Sequence, residues 1–199
     1  GLAPFHAWSP DVYEGSPTPV TAFMATGVKV VTFAVFLRII TTNILNPDTS
    51  YSLIVVLQWL AVGSMLLGNI AAIKQDSMKR MLAYSSISHT GYAMIGIIAA
   101  GLGGDNLIGA SGTMFYIFAY TIMTLGTFGF VCLFERKENT MLLIDDVKGL
   151  AKKNPWTALC MTILLLSLAG IPPAIGFFGK FYIFTAAVNE GLIWLALWG

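Results

Sequence analysis

Charged side chains are scarce in this sequence. Of 199 residues, 11 are Lys or Arg and 10 are Asp or Glu, 11% in all, where a water-soluble domain carries about 25%. So few charges cannot cover the surface of a globule this size, which argues against every water-soluble class. The formal net charge of +1 argues against nucleic acid as a partner. Cysteine is nearly absent. Cys132 and Cys160 both lie in apolar runs, fit no disulfide framework or metal-ligand spacing, and read as small core residues. No glycine-rich phosphate loop follows a strand and no cysteine cluster suits an iron–sulfur centre. Residue 1 is glycine, no signal-peptide pattern follows, and residue 199 falls inside an apolar run. An internal piece of a longer membrane protein is therefore expected.

What the sequence does have is apolar length. Hydrophobic residues make up 56% of it and the mean hydropathy is +0.76. Four stretches contain no Asp, Glu, Lys or Arg: residues 49–73, 81–104, 106–134 and 154–179. Each exceeds the roughly 20 residues that carry a helix across a bilayer core. Lipid offers the backbone no hydrogen bonds, so these are helices. A fifth span over residues 19–44 is interrupted by Lys29 and Arg38, and residues 192–198 begin another. The reading is an all-α, polytopic transmembrane bundle, with residues 1–199 as a single transmembrane domain. Eight of the eleven basic residues fall in two segments, Lys74, Lys79 and Arg80 in one and Arg136, Lys137, Lys148, Lys152 and Lys153 in the other. Two spans separate them, so they share a side, and the positive-inside rule makes that side cytoplasmic. In the second segment Leu143, Val147, Leu150 and Ala151 recur at helical spacing. This predicts a short amphipathic helix at the interface, with an ordinary solvated connector as the alternative.

Charge inside the membrane is the functional signal. Lys29 sits about ten residues into its span and Lys180 just past the middle of another apolar stretch. A lysine at mid-bilayer costs about 2.5–3.5 kcal/mol even on lenient scales. A lysine that can exchange between ammonium and neutral amine is a proton-relay candidate. The competing role is a structural ion pair with a carboxylate from another helix or from chain outside this sequence. Thr18, Thr21, Thr26 and Thr32 share the face of Lys29, and hydroxyls there would hold water. Arg38 reads as an interfacial anchor. His89 has Ser85, Ser86 and Tyr92 on its face and is a candidate proton shuttle, or else a satisfied core histidine. Thr113, Tyr116, Tyr120, Thr124 and Thr127 form a stripe, either helix–helix glue or one wall of a hydrated path. Gln58 and Asn69 share a face, a weak signal. The run 170–180 holds Pro172, Pro173, Gly170, Gly176 and Gly179 directly before Lys180. It predicts a discontinuous helix at 170–179, because proline lacks the N–H and clashes with the preceding turn. A second proline-rich segment, 4–19, precedes the helix of Lys29. Paired breaks of this kind mark inverted-repeat transporters.

Three motifs resemble a known family. Pro4-Phe-His-Ala-Trp-Ser-Pro-Asp-Val-Tyr-Glu-Gly-Ser-Pro-Thr-Pro-Val-Thr-Ala-Phe23 resembles the signature of subunit N (the subunit-2 type) of the proton-pumping NADH:quinone oxidoreductases, respiratory complex I. Lys79-Arg-Met-Leu-Ala-Tyr-Ser-Ser-Ile-Ser-His89 resembles the opening of the tenth helix of the antiporter-like subunits. Leu168-Ala-Gly-Ile-Pro-Pro-Ala-Ile-Gly-Phe-Phe-Gly-Lys-Phe-Tyr182 resembles their broken twelfth helix. The continuation after Asp11 favours subunit N over subunits L and M and the Mrp-type antiporters. The resemblance implies a stretch from the end of the seventh helix to the start of the thirteenth. It implies that Lys29 joins two half-channels, that Lys180 is the terminal proton-transfer residue, and that His89 is a relay of less fixed identity. It places a further lysine and a glutamate upstream of this sequence. It implies a non-redox subunit of a translocase that binds no cofactor or metal, with NADH and quinone used by other subunits. Its partners would be the other membrane-arm subunits, lipid and protons, in a bacterial inner membrane or an organellar equivalent. The alternatives are an Mrp-type cation/proton antiporter or membrane-bound hydrogenase subunit on the same fold, and a structural scaffold.

Overall fold

The computed structural model describes residues 1–42, 47–103, 107–138 and 142–199. Among them the elements are helical: α1 (Trp8–Gly15), α2 (Thr18–Thr41), α3 (Pro47–Ile73), α4 (Met78–Leu102), α5 (Ile108–Glu138), a 3₁₀ turn (Ile144–Val147), α6 (Leu150–Lys153), α7 (Pro155–Ala169), α8 (Ile175–Asn189) and α9 (Ile193–Leu197). The helix limits follow local chemistry. Pro19 lies in the first turn of α2 and Pro155 opens α7, where a missing N–H costs nothing. The Ser77 hydroxyl caps α4 by accepting from the Arg80 N–H. The loops expected near 46–50 and 103–106 lie partly outside the described residues. Residues 47–50 belong to α3, because a proline at the first position starts a helix.

α2, α3 and α5 are long and apolar enough to cross a membrane. α4 is 25 residues, about 37 Å at the helical rise, but less apolar than these. It sits at the centre of the bundle, against α1, α2, α3, α5 and α8, and nineteen of its residues are buried. A helix enclosed by protein has no lipid contact to enforce apolarity, so α4 can carry Ser86, Ser88, His89 and Thr90 inside the bundle. α3 approaches it closely because Gly91 is bare. A Cβ there would stand 2.8 Å from the Ala61 carbonyl oxygen.

The two basic segments meet. Ser77 and Leu143 form an isolated antiparallel bridge. Met78 N–H donates to the Leu142 carbonyl at 3.1 Å and Ile144 N–H to that of Asp76 at 2.9 Å. Their shared side, inferred from charge alone, is thus a direct contact. Leu143 to Ala151 do not form the single amphipathic helix expected. The 3₁₀ turn and α6 are separate, divided by Gly149 at φ +76°. The chain forms a strap instead, because Leu142 and Leu150 are buried among Met78, Leu82, Phe128 and Met161. That apolar cluster holds it more firmly than an interfacial helix register would.

The predicted helix break is present and shorter than expected. α7 ends at Gly170, φ +87°, where the Gly170 and Ile171 N–H groups turn back to the Leu166 carbonyl. Pro172 and Pro173 fill the gap and α8 resumes at Ile175, so Gly176 and Gly179 lie inside α8. At the other break, α1 and α2 are separated by Ser16 and Pro17. α9 follows Gly191 and packs on α3 through Trp194 and Trp59, ring centroids 5.7 Å apart.

Candidate functional site

Lys29 leaves α2 half-buried and points at α4 and α5. Its Nζ donates to the Ser86 carbonyl and the Ser86 Oγ, both at 2.6 Å, and to the Tyr120 hydroxyl at 3.3 Å. It also lies 4.8 Å from the Tyr120 ring centroid. Among the described residues no carboxylate comes within 4.0 Å of Lys29 or Lys180, so these residues supply no partner for the structural ion pair considered for them. The threonine face expected around Lys29 is spent otherwise. Thr18 donates to the Glu135 carboxylate. Thr21, Thr26 and Thr32 donate to the carbonyls of Tyr13, Ala22 and Val28. Of the four, only Thr32 shares with Lys29 a cleft of about 340 Å³, which runs past Ser9 and Tyr13 of α1 and Ser86 and Thr90 of α4.

His89 is 5% exposed. Its Nδ1 lies 2.6 Å from the Tyr116 hydroxyl, and its ring lies 5.0 Å from that of Tyr120 and 5.8 Å from that of Tyr92. Ser86, expected beside His89, serves Lys29. A cavity of about 10 Å³ lies between Lys29, His89, Thr90, Tyr116 and Tyr120, about the room one water needs. The α5 stripe therefore divides. Tyr116 and Tyr120 face the histidine and lysine, whereas Thr113 and Thr127 bond their own helix.

Lys180 sits on α8 just past the break. α7 ends with unpaired carbonyls and a partial negative charge, and the Lys180 Nζ donates to the Ala169 carbonyl at 3.1 Å. The same nitrogen lies 4.4 Å from the Tyr92 ring centroid. A cleft of about 500 Å³ borders Lys180 and runs to Val188, toward the end of the bundle away from the basic segments. Lys29, Tyr120, His89, Tyr92 and Lys180 thus follow one another from α2 through α5 and α4 to α8, with Tyr116 bonded to His89 at the side.

Sequence reading missed an ion cluster at the basic end. Lys79 and Glu135 pair at 3.0 Å with side chains 8% and 19% exposed. Lys79 also donates to the Ser16 carbonyl, and Arg80 pairs with Asp11 and Glu14. The cluster ties α1 and the α1–α2 joint to α4 and α5. Asp11, Glu14, Lys79 and Arg80 lie in motifs already noted and Glu135 in none of them, and nothing in their spacing said that they meet. Arg38 is exposed in the last turn of α2.

All 199 residues match the family described as NADH:quinone oxidoreductase/Mrp antiporter, TM. A NADH-quinone oxidoreductase subunit N from Bdellovibrio bacteriovorus is 58% identical over 198 residues, 100% of this chain and 40% of that protein. A chain in the structure of respiratory complex I from Thermus thermophilus with bound aureothin superposes with a TM-score of 0.79 at 36% identity, over 99% of this chain and 41% of that one. A chain of the Mrp complex from a Dietzia species does so with a TM-score of 0.86 at 25% identity, over 99% and 35%. The chain spans about 40% of the length of its curated relative. An all-helical bundle with these likenesses is part of an integral, multi-pass protein of the bacterial inner membrane, and the chain belongs to the NADH:quinone oxidoreductase/Mrp antiporter transmembrane family.

Proposed function

We propose that this chain forms, as one transmembrane unit, proton-translocating machinery of an antiporter-like membrane subunit of NADH:quinone oxidoreductase. Lys29, His89 and Lys180 carry out the proton transfer. The observation that carries the reading is the line of hydrogen bonds, ring contacts and a cation–ring contact joining the two lysines. From Lys29 it passes by Tyr120 to His89, which is bonded to Tyr116, and on by the ring of Tyr92 to Lys180. A cleft borders each lysine. The Lys29 cleft reaches α1, beside the basic segments, and the Lys180 cleft reaches the opposite end, which suits intake at Lys29 and release at Lys180. Hydroxyls and an imidazole can each accept one proton while giving up another, and the small cavity beside His89 has room for a bridging water.

The chain supplies no redox chemistry in this reading. NADH and quinone are handled by other subunits of the complex, which with lipid are its partners. Quinone reduction elsewhere would change the protonation of Lys29. Its charge would then drive the proton at Lys180 outward by like-charge repulsion, which is strong in a low-dielectric interior. Lys29→Ala in the assembled complex should depress NADH-driven proton pumping together with coupled quinone reductase activity, and Lys180→Ala should act in the same direction. Normal pumping by a fully assembled Lys29→Ala complex sinks the proposal. The likeness to the Mrp complex supports a second reading, cation/proton exchange without redox coupling. Sodium-dependent proton exchange in vesicles lacking quinone reductase would select it.

A further inference from the structure

We infer that Tyr92 and Asn69 form a positioning pair that holds the Lys180 ammonium for proton transfer, with the Tyr92 ring face as its counterpart. The inference rests on the proton-transfer reading of Lys180. A cation in an apolar interior needs compensation, and none of it comes from a carboxylate among the described residues. Two neutral groups supply it. The Ala169 carbonyl at the end of α7 takes one N–H at 3.1 Å. The Tyr92 ring takes the cation from another side at 4.4 Å, within the range where the negative aromatic face attracts an ammonium. The neutral amine has no such attraction, so the ring favours one orientation of the protonated side chain.

The ring is fixed to do this. Tyr92 is 7% exposed. His89 and Phe184 meet it nearly at right angles, at 71° and 82°, with centroids 5.8 and 6.3 Å away. Its hydroxyl accepts from the Asn69 side-chain amide at 3.3 Å. Asn69 belongs to α3, so a helix outside the Lys29–Lys180 line sets the angle of a ring inside it. Asn69 was noted in the sequence only as a weak polar match to Gln58, and this contact gives it a role. The Lys180 stem also passes close to the bare Gly170, where a Cβ would stand 3.0 Å from its Cδ.

The test is made in the intact complex, reading NADH-driven proton uptake and quinone reductase activity in inverted membrane vesicles. Phenylalanine with zero to three fluorines is placed at position 92, keeping ring shape while draining the negative face. Pumping should fall stepwise with fluorine number, on the order of tenfold at three fluorines, with assembly unchanged. Tyr92→Leu should match the lowest member of the series. Tyr92→Phe and Asn69→Leu should each slow pumping by a similar few-fold, and the double variant no further. A flat fluorination series overturns the ring's role. Additive losses in the double variant overturn the pair. These failures are distinct from failure of the proton-transfer reading, which would show as full pumping by Lys180→Ala.

Discussion

Tyr116→Phe isolates one link of the proposed path with little change in shape. The Tyr116 hydroxyl lies 2.6 Å from His89 Nδ1, and both residues are buried. Phenylalanine fills the same volume between α4 and α5, so packing and assembly should survive. What disappears is the one protein partner described for that imidazole nitrogen. A buried polar atom left without its partner costs about 1–3 kcal/mol, which corresponds to about a 5- to 150-fold slower transfer if the bonded geometry is the reactive one. The assay is NADH-driven acidification of inverted vesicles alongside quinone reductase turnover. Both should fall together, because a stalled proton step holds back a tightly coupled redox step. Tyr182→Phe serves as control. Tyr182 is 48% exposed and packs edge-on against Phe115, off the line between the lysines, and its loss should leave both rates unchanged. Wild-type pumping by fully assembled Tyr116→Phe would refute the reasoning, since transfer would then not pass through that contact.

Three further outcomes test the framework. Glu135→Gln breaks the pair with Lys79 and should destabilise the subunit by about 1–3 kcal/mol, less than a fully buried pair because Glu135 keeps some solvent. Thermal melting of the purified complex reads it, and a Lys79→Met/Glu135→Gln double variant should cost less than the two single changes added. Gly170→Ala forces a side chain into φ +87°, about 1–2 kcal/mol of backbone strain, and crowds the Lys180 stem. Melting temperature and pumping should drop together, and a drop in melting alone would show that Lys180 tolerates the shift. Gly91→Val drives its side chain into the Ala61 carbonyl and Met65 and should separate α3 from α4. Limited proteolysis of the purified complex should then cut more readily at the α3–α4 connection, and an unchanged pattern would show that α3 backs away at no cost.

Three of the expected spans (α2, α3 and α5), the shared side and the helix break were legible in the sequence because each rests on a local rule, whereas the apolar run at 154–179 yields only the 15-residue α7 before its break. An apolar run of sufficient length has no other stable form in lipid. Two prolines after a glycine stop a helix wherever they stand. Basic residues collect on one side whatever the helices do between. Lys29 and Lys180 were legible for the same reason, since a mid-membrane amine stands out by cost alone. The amphipathic pattern at 143–151 was the local signal that misled. Its spacing is helical, but Gly149 and the apolar cluster beneath Leu142 and Leu150 favoured a strap.

Partnership is what only the tertiary structure decided. Of the hydroxyls near Lys29 in sequence, Thr26 and Thr32 turned to their own helix and Thr18 and Thr21 to Glu135 and Tyr13, while Ser86 and Tyr120, 57 and 91 residues away, took the ammonium. Tyr92 reads as a neighbour of His89 on one helix face, yet its ring face is given to Lys180 on α8. Lys79 finds Glu135 only because α4 begins where α5 ends. Hydropathy and helix periodicity fix where a side chain stands on its own cylinder. Which cylinder it faces depends on how close bare positions such as Gly91 let two backbones come, and that is set by packing across the whole bundle.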